Sequence, residues 1–157
     1  MKDIAQHPMD FASAFEAAFA RLQVAAEEAY MSHADWADQV VAVIHAAFGF
    51  AASDPGAAGI LTNQPLGHGS VGAERYERLV DYWAGLFSPG REHCPGGIEL
   101  PETIERALAG GILALIARRV DQGCAEELSE LVPDAIQFVL TPYLGIDQAR
   151  RIAAASG

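Results

Sequence analysis

The chain has 157 residues, enough for one domain with a sizeable core; 51% are hydrophobic and β-branched residues cluster only briefly, which favours an all-helical fold. Ten basic residues against 21 acidic ones give a formal charge of −11, with Lys2 the single lysine and adjacent arginines only at Arg118-Arg119 and Arg150-Arg151. That balance excludes the basic patch needed to neutralise nucleic-acid phosphates. No apolar run approaches the roughly 20 residues that cross a bilayer, and the opening Met1 to Pro8 lacks the apolar stretch of a signal peptide, so a cytoplasmic protein is expected.

Apolar residues then recur at helical spacing along the chain. Phe11, Phe15, Phe19 (or Ala18), Leu22 and Ala26 predict a first helix over about residues 9–30, with Asp10 near its start. Trp36, Val40, Val43, Ile44, Ala47 and Phe48 predict a second over about 35–53. Asp54-Pro55 supplies a cap and a first-turn proline for a short third helix to about Thr62, weakened by Gly56 and Gly59. Residues 63–72 hold three glycines and a proline and read as a loop. From about residue 70 to 87, Tyr76, Leu79, Val80, Trp83, Leu86 and Phe87 mark the buried side of a fourth helix. Residues 88–99, containing SPGREHCPGG, read as an irregular, mobile segment.

Pro101-Glu102 opens a long helix that Gly123 ends. Ile104, Leu108, Gly111 or Ile112, Leu115 and Arg119 form one stripe of it, and Leu113, Ile116 and Val120 widen the apolar surface. A helix apolar over so much of its circumference is expected to be covered on two sides, by its own core and by a partner. Gly110 and Gly111 cost helix stability but allow a neighbouring helix close approach. The next helix covers about 125–144 with Leu128, Leu131, Val132, Ala135, Ile136, Val139, Leu140 and Tyr143 apolar, and Pro133 predicts a kink or break near Leu131. A short helix over about 147–155 closes the chain, giving six or seven helices and no strand.

Motifs for catalysis are weak. His93-Cys94 beside Arg91 lies in a Gly/Pro-rich loop with no placeable His or Asp partner. His33, Asp35 and Asp38 do not share one helix face, so they make a poor metal site. Residues 67–72, GHGSVG, lack the Lys-Ser/Thr and the strand of a phosphate loop. Cys94 and Cys124 sit in no metal-ligand spacing and read as reduced thiols. Neither an enzyme nor a cofactor is expected.

The final third carries a recognisable order of elements: Leu100-Pro101, Glu105, Gly110-Gly111-Ile112, Arg119-Val120, Gly123, Leu128, Leu131, Pro133-Asp134 and Leu140 to Gly145. In order and spacing it resembles the C-terminal half of TetR/AcrR-type transcriptional regulators. Upstream, Phe15 to Leu22 and Trp36 to Asp54-Pro55 are collinear with that family's pattern more loosely. The resemblance implies an all-α effector-binding and dimerisation domain over residues 11–157, preceded by a tail or linker remnant over 1–10. Regulators of this family also have an N-terminal helix-turn-helix unit, and nothing before Phe11 resembles it. Operator DNA is therefore expected as a partner only through such a unit.

The implied function is that of a ligand-sensing, dimerising regulatory domain, with repression the expected mode; the alternative is a stand-alone dimeric helical protein that binds a small molecule without DNA. Candidates for contact with a small apolar or amphipathic ligand are Phe15, Phe19, Trp36, Val40, Ile44, His45, Phe48, Tyr76, Tyr82, Trp83 and Phe87, although each aromatic reads first as core. Arg118 is a candidate for a ligand carboxylate. Candidates for the homodimer interface are Ile104, Leu108, Gly111, Ile112, Leu115, Arg119, Ile136, Val139, Leu140 and Tyr143, on two helices per subunit that would form a four-helix bundle.

Overall fold

A computed structural model describes residues 8–95 and 99–157, omitting the side chains of residues 8 and 9. Residues 1–7 of the expected N-terminal tail, and 96–98 of the expected irregular segment, lie outside the described residues. Seven α-helices follow one another: α1 (Pro8–Met31), α2 (Trp36–Ser53), α3 (Pro55–Thr62), α4 (Gly69–Phe87), α5 (Ile104–Asp121), α6 (Leu128–Leu144) and α7 (Ile146–Ala155). No strand occurs among the described residues, so the chain is an all-α bundle. Among them no single helix is long and apolar enough to cross a membrane.

The helix boundaries have local causes. Asp35 caps α2 by accepting hydrogen bonds from the backbone of Ala37 at 3.1 Å and Asp38 at 3.4 Å, which gives this carboxylate a structural role. Asp54 accepts from Ala57 N at 3.0 Å and so starts α3, with Pro55 in the first turn. After α5 the chain turns through Gly123 at φ +71°. Cys124 N bonds Arg119 O at 3.0 Å and Gly123 N bonds Val120 O at 3.1 Å, the paired bonds of a Schellman cap. Gly145, at φ +83°, ends α6 by donating to Thr141 O, and its own carbonyl accepts from Ala149 N in α7.

Three expectations differ from the structure. The segment after Phe87 is not wholly irregular: Ser88–His93 is a 3-10 helix, because tertiary contacts to Gly90 and Arg91 hold it. Another 3-10 helix, Gln64–Gly67, occupies the expected loop before α4. Pro133 does not break α6, which runs on from Leu128 to Leu144. Its missing N–H leaves only the Ser129 carbonyl without a helical donor, and Ser129 is exposed to water.

Packing runs in a chain of neighbours. α1 lies on α2 and α3, α2 on α6, and α6 on α7, while α5 is held chiefly by α4 and α3 and touches α6 lightly. Phe11, Phe15, Val43, Ile44, Leu79, Phe87, Ile112, Leu128 and Ile136 are fully enclosed in one core that spans all seven helices. This arrangement covers both sides of α5 partly from within its own chain and leaves a shallow trough between α5 and α6.

Candidate functional site

Two features stand apart from an ordinary helical core, and both are made by apolar surfaces that the bundle leaves incompletely filled. The first is an interior cavity of about 20 Å³ where five helices converge. Leu22 of α1, Phe50 and Ala51 of α2, Leu61 and Thr62 of α3, Trp83 of α4 and Leu113 of α5 form much of its wall. It has room for about one water molecule. Its two polar neighbours differ in how they are satisfied. Thr62 Oγ1 donates back to Ala58 O at 2.8 Å, whereas Trp83 Nε1 is buried and finds no acceptor among the described residues.

Phe50 is half-buried and belongs to two spaces at once. It lines the cavity, and it also lines an open groove on the α1–α2 surface together with Ala20, Arg21 and Val24. The Arg21 guanidinium lies 5.3 Å from the centre of the Phe50 ring and pairs with Asp54 at 2.8 Å. One aromatic side chain thus borders both the cavity and the open groove, and a charged pair lies over it.

The second feature is the trough between α5 and α6. Ile104, Ala107 and Leu108 form one side, while Phe138, Pro142 and Ile146 form the other, around an open volume of about 590 Å³. Phe138 is 43% exposed and Ile146, at the start of α7, is 48% exposed, so two large apolar side chains of one trough face solvent. The Phe138 ring packs over Gly111, where a Cβ would come within 2.7 Å of Phe138 Cε1.

A third cluster is structural in character. Arg91 grips Glu105 with two bonds, Nε to Oε1 at 2.6 Å and Nη2 to Oε2 at 2.9 Å, and donates to the carbonyls of Leu100 and Pro101. Tyr143 Oη donates to Glu105 Oε1 at 3.3 Å. Burial works to raise the Glu105 pKa, but hydrogen bonds from Arg91, the backbone and Tyr143 outweigh it, and the carboxyl is held below its ordinary range. Burial first, and then the Glu105 charge, push the Tyr143 hydroxyl up. Beside them Trp36 stands edge-on to Tyr143, stacks on His93 and donates from Nε1 to Leu86 O at 3.2 Å. With every strong partner already engaged, this cluster ties the 3-10 helix after α4 to α2, α5 and α6.

The residues singled out from the sequence are scattered over these features. Of the ligand candidates, Trp83 lines the cavity. Phe15, Phe19, Val40, Ile44, Phe48 and Phe87 are enclosed in the core, and Trp36 belongs to the Glu105 cluster. Tyr76 and Tyr82 are partly buried; Tyr82 meets Phe19 and Trp83 edge-on, and its hydroxyl has no partner among the described residues. Burial raises the pKa of both tyrosines. His45 is exposed on the far side of α2, and Arg118 is exposed outside the cavity wall, so neither lines the interior.

Of the dimer candidates, Ile104, Leu108 and Gly111 border the trough, and Leu115 and Arg119 are partly buried further along α5. Ile112, Ile136, Val139, Leu140 and Tyr143 correct that expectation, each being 0% exposed: α5 turns Ile112 into the core it shares with α4 and α3, and α6 turns its main apolar stripe toward α2 and α7 within the same chain. On the trough side α6 presents Asp134, Gln137, Phe138 and Thr141. Sequence reasoning passed over Phe138, Phe50 and Thr62, and met Glu105 only as one member of the motif order. Phe138 carried a signal, since a phenylalanine sat on the side of the helix opposite its apolar stripe. The others carried none that spacing reveals.

Most of the arginine charge is engaged within the chain. Arg21, Arg75, Arg78, Arg91, Arg106 and Arg119 each pair with a carboxylate, Arg106 with both Glu77 and Asp81. Among the described residues no group of three His, Cys, Asp or Glu side chains is placed to hold a metal ion. In comparisons with known proteins, no family model, curated protein or solved structure matches this chain.

Proposed function

We propose that the chain is a ligand-sensing, dimerising regulatory domain of the TetR type. The observation that carries this reading is the exposed apolar trough between α5 and α6, with Phe138 and Ile146 projecting from it, lying on the same bundle as an interior cavity. Contiguous apolar surface of this kind is characteristic of a contact between proteins, and a two-helix face that meets its own copy around a two-fold axis makes a four-helix bundle. The order of motifs along the final third supports the same assignment. In this reading ligand occupancy between the first five helices biases how two subunits sit against each other, and that difference is what a regulator transmits. DNA recognition is not assigned to any residue of this chain, whose arginines are mostly engaged by carboxylates.

Sedimentation equilibrium tests the dimer. The wild-type chain is expected at twice its 16.7 kDa monomer mass, and Phe138→Asp is expected as a folded monomer with unchanged helical circular dichroism. A wild-type monomer at tens of micromolar, or a Phe138→Asp variant that dimerises as tightly as wild type, overturns the assignment.

A further inference from the structure

The interior cavity, the orphaned indole of Trp83 and the position of Phe50 together specify a ligand more narrowly than the fold does. We propose that the cavity is a binding site for a small, neutral, single-ring-sized molecule carrying one hydrogen-bond acceptor, admitted past the Phe50 side chain and held by Trp83 Nε1. This rests on the reading of the chain as a ligand-sensing domain and names the chemistry of what it senses.

Three observations set the terms. An indole nitrogen can only donate, and Trp83 is 1% exposed with Nε1 unpaired among the described residues, so the complementary group is an acceptor. Thr62, the other polar residue in the wall, already spends its hydroxyl proton on Ala58 O and makes no competing demand. No ionisable side chain lines the cavity, so an ionised carboxylate or ammonium brought inside would lose its hydration without a counter-charge.

Size follows from the wall. At about 20 Å³ the cavity takes only a water, but Phe50 lines both it and the open groove beside Ala20 and Val24. Turning that side chain outward joins the two spaces and vacates the room of one benzyl group. Arg21, anchored by Asp54, lies over the Phe50 ring in its present position. The ligand that fits is therefore about one aromatic ring in size.

The test uses the full chain with acetophenone as probe, ethylbenzene as the matched hydrocarbon and benzoate as the charged ring. Two indole N–H resonances report on the outcome, Trp83 and Trp36, the latter already bonded to Leu86 O. Acetophenone is expected to move the Trp83 indole resonance downfield and leave that of Trp36 in place. Ethylbenzene is expected to bind roughly 5-fold more weakly, the equivalent of one neutral hydrogen bond, and benzoate not at all. Trp83→Phe should bring acetophenone down to the ethylbenzene level, and Phe50→Ala should speed association. A Trp83 resonance unmoved at saturation, benzoate binding as well as acetophenone, or no probe binding (a cavity for one water only) each overturns the proposal, and the wild-type resonance decides it even if Trp83→Phe fails to fold. Sedimentation of the same sample separates the two readings: a dimer that ignores the probes sinks the site alone, whereas a monomer that binds acetophenone sinks the dimeric regulatory reading.

Discussion

The ring of Phe138 occupies the space that a side chain on Gly111 would need, with Cε1 only 2.7 Å from where a Cβ would stand. Gly111 is thus the seat of the most exposed aromatic residue of the α5–α6 trough. Gly111→Ala should restore about 1 kcal/mol of helix propensity while pushing the far end of the Phe138 ring outward, which its exposure allows. The expected result is little net change in unfolding free energy, within about 1 kcal/mol, but a weakened dimer by sedimentation. Gly110→Ala meets nothing within 4 Å and should raise unfolding free energy in urea by up to about 1 kcal/mol. Equal effects of the two substitutions on association would contradict the packing of Phe138 on Gly111.

Phe138 and Val139 are adjacent in sequence and opposite in environment, 43% against 0% exposed. Phe138→Asp should leave the helices folded. Val139→Asp places a carboxylate among core side chains, a change that costs several kcal/mol out of a typical total of about 5–15 kcal/mol, so loss of cooperative unfolding and of soluble yield is expected. A well-folded Val139→Asp with an altered oligomeric state would restore Val139 to the interface.

Gly90 and Gly72 are sites where any side chain collides. A Cβ on Gly90 would lie 2.4 Å from the buried Trp36 ring and 2.8 Å from Tyr143, and one on Gly72 would lie 1.9 Å from the Pro65 carbonyl oxygen. Gly90→Ala is expected to destabilise by about 1–3 kcal/mol, as overpacking of a rigid core does. Gly72→Ala should cost at least as much, because the opposing group is backbone and has no rotamer to move into. Chemical denaturation of both variants, with Gly49→Ala as a spacious control, measures this.

Acid sensitivity should centre on Glu105. Its folded-state pKa is lowered, so the unfolded chain binds that proton more readily than the folded one. The stability it contributes is complete above the ordinary carboxylate value near 4 and is lost as pH falls through the lower folded value. Asp54 is lowered too, first by its bond from the Ala57 backbone and then by Arg21, but that pair is well exposed and contributes less. Melting temperature is therefore expected to be flat from about pH 7 to 5 and to drop below about pH 4.5. Glu105→Gln should lower the neutral-pH plateau and flatten the acid limb. An acid limb as steep as that of wild type would remove Glu105 from this role.

Helix positions were written in the sequence because capping and periodicity are local. Asp35, Asp54-Pro55, Gly123 and Gly145 bound their helices by bonds that reach no further than a turn or two. The core of α1 and α2 was equally legible, since Phe11, Phe15, Val40 and Ile44 fall on single stripes whatever lies opposite. What spacing alone does not contain is the direction each stripe faces. Only the tertiary structure decided that α6 spends Ile136, Val139, Leu140 and Tyr143 on its own chain and turns Phe138 outward, because α2 and α7 pack against that stripe from within the chain. The same holds for Glu105, whose partners Arg91 and Tyr143 are 14 and 38 residues away, and for a cavity formed where side chains of five helices fail to meet. Local bonds fix the helices; the volumes and charges of residues distant in sequence decide which surface remains for a ligand or a partner.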